Sequence, residues 1–216
     1  MKRMSAAHLR ASRGRLFVIS APSGAGKTSL VKALLVRNPK LRVSVSHTTR
    51  KRRVTEEDGR EYHFVSRETF ADLVRRGEFL EHAQVFDNSY GTGRETVERL
   101  LAAGTSVVLE IDWQGARQVR QALPECTSIF ILPPSLAALK ERLQKRQTDS
   151  PEVIARRFGD AVGDISHWIE FDYVVVNDDF ERAASDLSRI VAGNGEDLRA
   201  SRPELKSFVH ALLAAA

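Results

Sequence analysis

A short apolar run followed by a turn of small residues is the feature that most limits how this chain can fold. Residues 16–19 predict a buried strand, and the segment from Lys27 onward predicts a helix. Small side chains between them let successive backbone N–H groups converge on one anion, and the helix start adds its partial positive charge. The segment therefore predicts a phosphate-binding loop formed by Ala21, Pro22, Ser23, Gly24, Ala25, Gly26, Lys27, Thr28 and Ser29.

Lys27 and Thr28 give this loop a specific chemistry. In loops of the pattern G-x-x-x-x-G-K-[ST], the lysine reaches the β- and γ-phosphates of a nucleoside triphosphate and the hydroxyl binds magnesium. Ala21 stands where the pattern has its first glycine, so the backbone there must be one that alanine can adopt. A turn without a ligand explains the small residues but gives no reason for Lys27 and Thr28. We therefore expect a nucleotide site with Thr28 as a Mg²⁺ ligand.

The composition is that of a soluble globular protein. The chain has 216 residues, of which 42% are hydrophobic and 28% charged, enough for one substantial core. Cys126 is the single cysteine, which excludes an internal disulfide or a multi-cysteine zinc site and favours a reducing compartment. No apolar run approaches the length that spans a bilayer, and the N-terminus lacks the apolar region of a signal peptide. We expect a cytoplasmic protein without a membrane partner.

The net charge of +5 raises the question of a nucleic-acid partner. The basic residues cluster at positions 50–53, 142–146 and 156–157, and aromatic side chains are not interleaved with them as in single-strand binders. Small phosphorylated substrates need the same charge. We therefore expect no nucleic-acid partner.

Further apolar runs alternate with helical patterns, which predicts strands with crossover helices. The run at residues 106–112 ends with Glu110 and Asp112, at the carboxyl end of its strand, where ligands bind in open parallel sheets. These patterns predict an α/β fold of the P-loop NTPase type, with a parallel five-stranded sheet flanked by helices. Its strands are expected at residues 16–19, 41–46, 106–112, 128–132 and 173–176.

The polarity of the chain changes at several points, which suggests how it is divided. Residues 46–93 are polar and basic, with a helix expected at about 66–76, a strand at 80–86 and a turn at 88–91. A polar loop between arginine-bearing helices near residues 145–151 is typical of a segment that closes over phosphate. The expected units are a basic tail at 1–14, a core at 15–45, 94–140 and 162–194, an insertion at 46–93, a lid at 141–161, and a C-terminal helical extension at 195–216.

Several motifs together resemble those of the guanylate kinases, over about residues 16–190. Each motif alone is weak, but all of them occur in the family's order and spacing. They are the phosphate loop with Ser23 before its glycine, Ser44-Val45-Ser46-His47-Thr48-Thr49-Arg50, Gly59-Arg60-Glu61-Tyr62-His63-Phe64, Phe79-Leu80-Glu81-His82-Ala83, Tyr90-Gly91-Thr92, and Glu110-Ile111-Asp112-Trp113-Gln114-Gly115.

The resemblance implies the reaction of Mg²⁺-ATP with GMP, and possible use of dGMP, in a chain whose oligomeric state is left open. The insertion then binds GMP, and a helical lid closes over the transferring phosphoryl group. Catalytic roles are implied for Lys27, Arg50, Arg142, Arg146 and Arg157. The family pattern also places Asn177 and Asp178 beside the adenine of ATP.

The GMP site implied by the resemblance has a phosphate end and a base end. Arg50 and Arg53 suit bidentate binding of the monophosphate, with Tyr62 and Tyr90 as further phosphate contacts. At the base end, the Glu81 carboxylate suits the N1–H and 2-amino donors of guanine, which adenine does not offer together. The implied GMP-binding residues are Ser46, Arg50, Arg53, Tyr62, Glu81, Tyr90, Thr92, Glu110 and Asp112.

The sequence also departs from the family pattern. Arg52 and Thr55 stand where a proline and a glycine are usual, Glu110 replaces an aspartate, and Gln147 replaces a lid glycine. Two other functions remain open. One is a guanylate-kinase-like interaction module without catalysis, against which the intact phosphate loop argues. The other is a P-loop kinase of a different phosphorylated metabolite or of RNA, against which Glu81 argues.

Overall fold

The computed structural model describes residues 13–85, 87–145 and 151–214. In chain order the elements are β1 (Leu16–Ser20), α1 (Lys27–Arg37), β2 (Leu41–Val43), β3 (His47–Thr48), β4 (His63–Phe64), α2 (Arg67–Arg75), β5 (Phe79–Val85), β6 (Asn88–Gly93), α3 (Arg94–Ala102), β7 (Ser106–Glu110), α4 (Trp113–Ala122), β8 (Thr127–Leu132), α5 (Leu136–Gln144), α6 (Pro151–Ile165), β9 (Tyr173–Val176), α7 (Phe180–Ala192) and α8 (Pro203–Leu213). Short 3₁₀ helices lie at Ser166–Glu170 and Glu196–Leu198.

The core sheet is parallel and has β1 at its centre. Among the described residues it contains five strands in the order β2-β7-β1-β8-β9, which confirms the predicted α/β fold. All residues of β1 are buried, as expected for a parallel strand covered on both faces. Its register pairs Ile19 with Glu110 of β7, so the phosphate loop and the acidic end of β7 leave the sheet side by side.

The side chains of β1 alternate between apolar layers on opposite faces of the sheet. Leu16 and Val18 belong to the cluster that includes residues of α3, α4 and α8, whereas Phe17 and Ile19 belong to the cluster that includes residues of α1 and α7. Helices therefore cover both faces. In the part of the chain that the structure describes, no helix has the length and apolar character needed to cross a membrane.

The insertion folds around a second sheet that the sequence did not predict. Within the described residues its order is β4-β3-β6-β5, and β5 pairs antiparallel with β6. The prediction of a turn at residues 88–91 is wrong, because these residues lie in β6. Val85 is already paired with Asn88, so the chain reverses before Asn88, and the polar residues pair with β5 on one side and β3 on the other. These long-range pairings override the local turn preference.

Helix α6 and the residues after it contact the core through Trp113 at the start of α4. The Trp113 indole N–H donates to Asp164 Oδ1 over 2.9 Å, and its ring stacks on His167 with centroids 3.5 Å apart. Burial raises the pKa of Asp164 to about 6. The C-terminal end of α6 is therefore linked to the first residue of α4 through one aromatic side chain. Gln147, one of the departures noted in the sequence, lies outside the described residues.

The C-terminal helix α8 packs against the core. Its buried residues Leu205, Val209 and Leu212 belong to the same apolar cluster as Trp168 and Val174. The preceding segment is also fastened to the sheet edge, since the amide of residue 200 donates to the carbonyl of residue 172 over 2.9 Å. The helix thus helps to close one face of the core sheet.

Replacing Leu205 with alanine should lower the free energy of unfolding by about 2–5 kcal/mol, because a buried leucine leaves a cavity that the surroundings refill only in part. Leu205 is only 2% exposed. Urea denaturation followed by circular dichroism measures the change. Lys206→Ala is the matched control, since Lys206 is exposed in the same turn of the helix. Equal midpoints for the two variants would contradict a contribution of the buried Leu205 side chain to the stability of the core.

Candidate active site

The phosphate loop has a shape that depends on its glycines. Gly24 and Gly26 adopt positive φ values of 90° and 97°, a region that residues with a side chain rarely occupy. At Gly26 there is also no room, because a Cβ atom would lie 2.4 Å from the Asn177 side-chain nitrogen. That nitrogen donates to the Ala25 carbonyl over 2.7 Å. The loop is therefore fastened to the end of β9 before α1 begins.

Lys27 and Asp112 both line the cleft where β1 and β7 end. The Lys27 ammonium donates to the Ile111 carbonyl over 2.8 Å, which holds it over the acidic end of β7. The Asp112 carboxylate accepts from the Gly115 amide over 2.8 Å and so caps the N-terminus of α4. Burial raises the pKa of Asp112, while the Gly115 hydrogen bond and the charge of Lys27 oppose that rise. The Lys27 ammonium and the partly buried Asp112 carboxylate thus lie on the same side of the site.

Thr28 and Glu110 together provide oxygen donors of the kind that magnesium prefers. The Thr28 hydroxyl donates a hydrogen bond to Glu110 Oε1, so the glutamate reaches the loop although an aspartate is usual at its position. No group of three or more His, Cys, Asp or Glu side chains suited to a metal occurs within the described ranges. Mg²⁺ does not need one, because it is often held through one or two carboxylates together with substrate phosphates and water. The residues present therefore fit Mg²⁺ delivered with a nucleotide.

Glu81 is a buried carboxyl group without a cation bonded to it among the described residues. It is 3% exposed, and its Oε1 accepts from the Thr92 hydroxyl over 2.5 Å. The Ser46 hydroxyl lies 3.3 Å from that of Thr92. Burial raises the pKa of Glu81 to about 7, against the lowering effect of the Thr92 hydrogen bond. Such a group is suited to accept hydrogen bonds from a neutral partner that enters the cleft.

Gly115 makes the space that Glu81 occupies. A Cβ atom on Gly115 would lie 2.3 Å from Glu81 Oε2, which is far inside van der Waals contact. The first turn of α4 therefore forms one wall of the Glu81 site.

Arg50 is held by a glutamate that the sequence analysis did not single out. The guanidinium of Arg50 forms a fork with Glu56, with Nη2 to Oε1 at 2.7 Å and Nη1 to Oε2 at 3.0 Å. The Arg53 amide donates to the same carboxylate over 2.8 Å. The Arg50 hydrogen bonds hold the pKa of Glu56 below its usual value. The only signal in the sequence is an acid three residues after Arg53, and such a spacing usually indicates a solvated surface pair.

The departures at Arg52 and Thr55 are accommodated in this loop. Arg52 Nη1 donates to the Glu56 carbonyl over 2.7 Å, and the Thr55 carbonyl accepts from Arg60 over 3.3 Å. Two arginine side chains thus donate hydrogen bonds to backbone carbonyls of this turn. Tyr62 lies beneath Arg50, with the guanidinium carbon 5.4 Å from the ring centroid, and burial raises the pKa of Tyr62 to about 12. The phenol stays neutral near pH 7 and is able to donate.

The phosphate loop, Glu81 and Tyr62 open onto a common cleft between the core sheet and the insertion sheet. Its walls come from the phosphate loop, the ends of β1 and β7, and strands β5 and β6. The predicted site residues that line it are Ala21, Pro22, Ser23, Gly24, Gly26, Lys27, Thr28, Ser46, Tyr62, Glu81, Tyr90, Glu110 and Asp112. Asp160 and Asp164 of α6 also contribute to the lining, although the sequence analysis did not identify them.

A family model described as "Guanylate kinase" matches residues 13–194. The chain belongs to the guanylate kinase family. It is 54% identical over 200 residues to a guanylate kinase of Alkalilimnicola ehrlichii, covering 93% of this chain and 98% of that protein. A guanylate kinase of Vibrio parahaemolyticus is 51% identical over 204 residues, with coverage of 94% and 99%.

A solved structure supports the same membership of the guanylate kinase family. The crystal structure of guanylate kinase from Anaplasma phagocytophilum matches with a TM-score of 0.72 at 36% sequence identity, over 92% of this chain and 95% of that chain. The resemblance predicted from the motifs is thus confirmed.

Other predicted residues of this guanylate kinase family member lie outside the lining of the main cleft. Arg142 bonds to the carbonyls of Asn177 and Ala25, at 3.0 and 3.4 Å, on the far side of the phosphate loop. A second pocket there is lined by Gly24, Gly26, Ser29, Arg142, Asn177, Asp178 and Phe180. Arg157 lies half-buried in α6, and Arg146 falls outside the described residues. Among the residues that the structure describes, those predicted for the site but not lining the main cleft are Ala25, Ser29, Arg50, Arg53, Thr92, Arg142, Arg157, Asn177 and Asp178.

Glu81 should titrate with a pKa of about 7, because its burial disfavours the charged form. Replacing Thr92 with valine should raise that pKa further, since the lost hydrogen bond favours the carboxylate. NMR of the side-chain carboxyl carbon across a pH series measures both values, and Glu81→Gln identifies the signal. A pKa near the ordinary value of 4.5 in the parent would mean that water reaches this carboxyl group freely.

Proposed function

We propose that this guanylate kinase family member transfers the γ-phosphoryl group of ATP to GMP, giving ADP and GDP, in the cleft described above. The observation that carries the proposal is that the phosphate loop with Lys27 and the buried carboxyl group of Glu81 open onto the same cleft. The phosphate loop suits a nucleoside triphosphate, and the Glu81 carboxyl group suits a base that offers hydrogen-bond donors. The proposal therefore brings donor and acceptor nucleotides together between the core and the insertion.

The phosphate loop is assigned to ATP. Its backbone amides and the start of α1 face the β- and γ-phosphates, and Lys27 exchanges the Ile111 carbonyl for phosphate oxygens. Thr28 and Glu110 are the residues that would hold Mg²⁺, which supplies neutralisation of phosphate charge when bound. The adenine is assigned to the second pocket, beside Asn177 and Asp178.

The insertion is assigned to GMP. The Glu81 carboxylate accepts hydrogen bonds from N1–H and the 2-amino group of guanine, while Ser46 and Thr92 complete the base end. Adenine has an acceptor at N1 and no 2-amino group, so it offers the ionised carboxylate neither of these two donors. The buried Glu81 carboxylate would then lack hydrogen-bond donors, which disfavours AMP strongly relative to GMP. Use of dGMP is part of the proposal, because the contacts assigned to Glu81 do not involve the sugar.

The phosphate of GMP is assigned to the cluster around Arg50. Arg50 and Arg53 supply charge-assisted hydrogen bonds, and the Tyr62 and Tyr90 rings lie 5.8 Å apart beside them. Glu56 aligns Arg50 and keeps its fork in one orientation. A phosphate oxygen of GMP held in this way is already ionised near pH 7, so the attack on the γ-phosphorus needs no strong general base.

The rate enhancement in this proposal comes from alignment and charge. Lys27 stabilises negative charge on the transferring group, and arginines of the lid at positions 142, 146 and 157 approach it on closure. Closure also excludes water, which would otherwise compete with GMP for the phosphoryl group. Charged and ordered donors are more effective in such a site than in water, because the local dielectric is low.

Replacing Lys27 with alanine should lower kcat with GMP by about a hundredfold or more, since charge on the transferring group loses a fixed cation.

Replacing Glu81 with glutamine should lower kcat/KM for GMP by about a hundredfold, because the new amide donors face donors of guanine. ADP formation from Mg²⁺-ATP with GMP, dGMP, AMP, CMP and UMP measures both effects. Glu78→Gln, an exposed position near the start of β5, is the matched control.

The same assay separates the rival functions. Turnover by the parent with GMP, at levels far above those with the other monophosphates, supports the proposal. GMP binding without turnover of any monophosphate would indicate an interaction module. Preferred turnover of a different phosphorylated compound would indicate another kind of kinase.

Glu56→Gln should raise the KM for GMP by about tenfold, because the amide turns a donor toward Arg50 and breaks the charge-assisted fork. The KM for ATP should change by less than about twofold, since Arg50 lies on the GMP side. Steady-state kinetics measures both constants. Glu57→Gln is the control, because Glu57 is exposed and pairs with Arg60 instead. Equal increases in both KM values would contradict a local effect on the phosphate clamp.

A further inference from the structure

Helix α4 holds strand β5 through a side chain that the proposed mechanism does not use. The Gln118 amide contacts both backbone groups of His82. The His82 N–H donates to Gln118 Oε1 over 3.1 Å, and Gln118 Nε2 donates to the His82 carbonyl over 2.7 Å. A primary amide carries a donor and an acceptor side by side, as a peptide group does. Gln118 therefore pairs with β5 as a residue of a neighbouring strand would.

This pairing matters because β5 ends the insertion sheet. In the described part of the chain the sheet order is β4-β3-β6-β5, so β5 has β6 on one side and α4 on the other. Edge strands present backbone groups that need another partner. Gln118 supplies that partner from α4 for both backbone groups of His82.

The residue before His82 is Glu81, which is proposed to form hydrogen bonds with guanine. Its carboxylate lies against the first turn of α4, where the Cβ position of Gly115 is 2.3 Å from Oε2. Gln118 follows Gly115 by three residues, so both lie on the same side of the helix. Helix α4 thus contacts two successive residues of β5. Gly115 leaves space for the Glu81 side chain, and Gln118 forms hydrogen bonds with the backbone of His82.

We propose that Gln118 is a positioning residue for guanine recognition, which holds β5 so that both Glu81 oxygens face the base edge. The inference rests on the proposed function, in which Glu81 accepts from N1–H and the 2-amino group of GMP. Two parallel hydrogen bonds require the carboxylate to have a defined distance and tilt relative to the base. A strand freed from α4 would keep the carboxylate but lose that alignment. The loss should fall on GMP and not on ATP, whose loop is fastened elsewhere.

The test replaces Gln118 with methionine, which has a similar length but lacks the amide. KM for GMP should rise by about tenfold, a change on the scale of one or two lost hydrogen bonds, while kcat and the KM for ATP stay within about twofold. The matched control is Gln121→Met, on an exposed part of the same helix. IMP, which carries N1–H but lacks the 2-amino group, is the second substrate. The preference for GMP over IMP in kcat/KM should fall in the Gln118 variant and stay unchanged in the control.

A second variant, Gln118→Glu, keeps an acceptor for the His82 N–H but removes the donor, so its KM for GMP should lie between those of the parent and Gln118→Met. Hydrogen exchange at the His82 amide, followed by NMR without nucleotide, should be faster in Gln118→Met and unchanged in Gln121→Met. This readout does not depend on catalysis, and circular dichroism checks that each variant is folded.

Two outcomes would overturn the inference while leaving the proposed function intact. One is a parent that phosphorylates GMP together with a Gln118→Met variant whose KM and GMP-to-IMP preference match the parent. The other is an equal loss for GMP, IMP and ATP, which would show a general structural effect. A parent that neither binds nor phosphorylates GMP would instead overturn the proposed function, and the inference with it.

Discussion

The pairing of β1 with β7 is the contact on which the rest of the site depends. Because the strands are parallel and Ile19 is in register with Glu110, their carboxyl ends leave the sheet at the same level. One end continues into the phosphate loop and the other into the cap of α4. Lys27 then donates to the Ile111 carbonyl, and Thr28 donates to Glu110, so both hydrogen bonds join the phosphate loop to the end of the neighbouring strand β7. The buried apolar residues of both strands hold these polar groups at fixed separations.

The sequence predicted the core sheet well, because β1, β7, β8 and β9 are short runs of mostly apolar residues. The five strands expected in the core sheet are found among the described residues, although β2 ends at Val43 and β7 at Glu110, earlier than predicted. A phosphate loop was evident from Lys27 and its small neighbours. Glu81 was also identifiable, since a carboxylate in an apolar strand needs a partner. In these cases local pattern and global fold favour the same structure, so the pattern is informative.

The parts that the sequence did not predict depend on contacts between distant residues. The strand β6 reads locally as a turn and becomes a strand only through pairing with β5 and β3. Gln118 and His82 are 36 residues apart, and nothing in the local pattern of α4 indicates that its amide reaches a strand edge. Glu56 is nearer to its partner, but an acid among basic residues normally suggests a solvated surface. Tertiary geometry is what gives such polar side chains their roles.

The close approach of Gly26 to Asn177 has a consequence for how the enzyme family's loop can vary here. Asparagine and aspartate tolerate a positive φ at many sites, so conformation alone would leave some choice. At position 26 the space for any Cβ is already taken by the Asn177 amide, which itself is 4% exposed and bonded to the Ala25 carbonyl. The conformation of the loop is therefore fixed when the protein folds. The entropy cost of ordering the loop is not added to the free energy of binding, so the contacts with the phosphates contribute more fully to affinity.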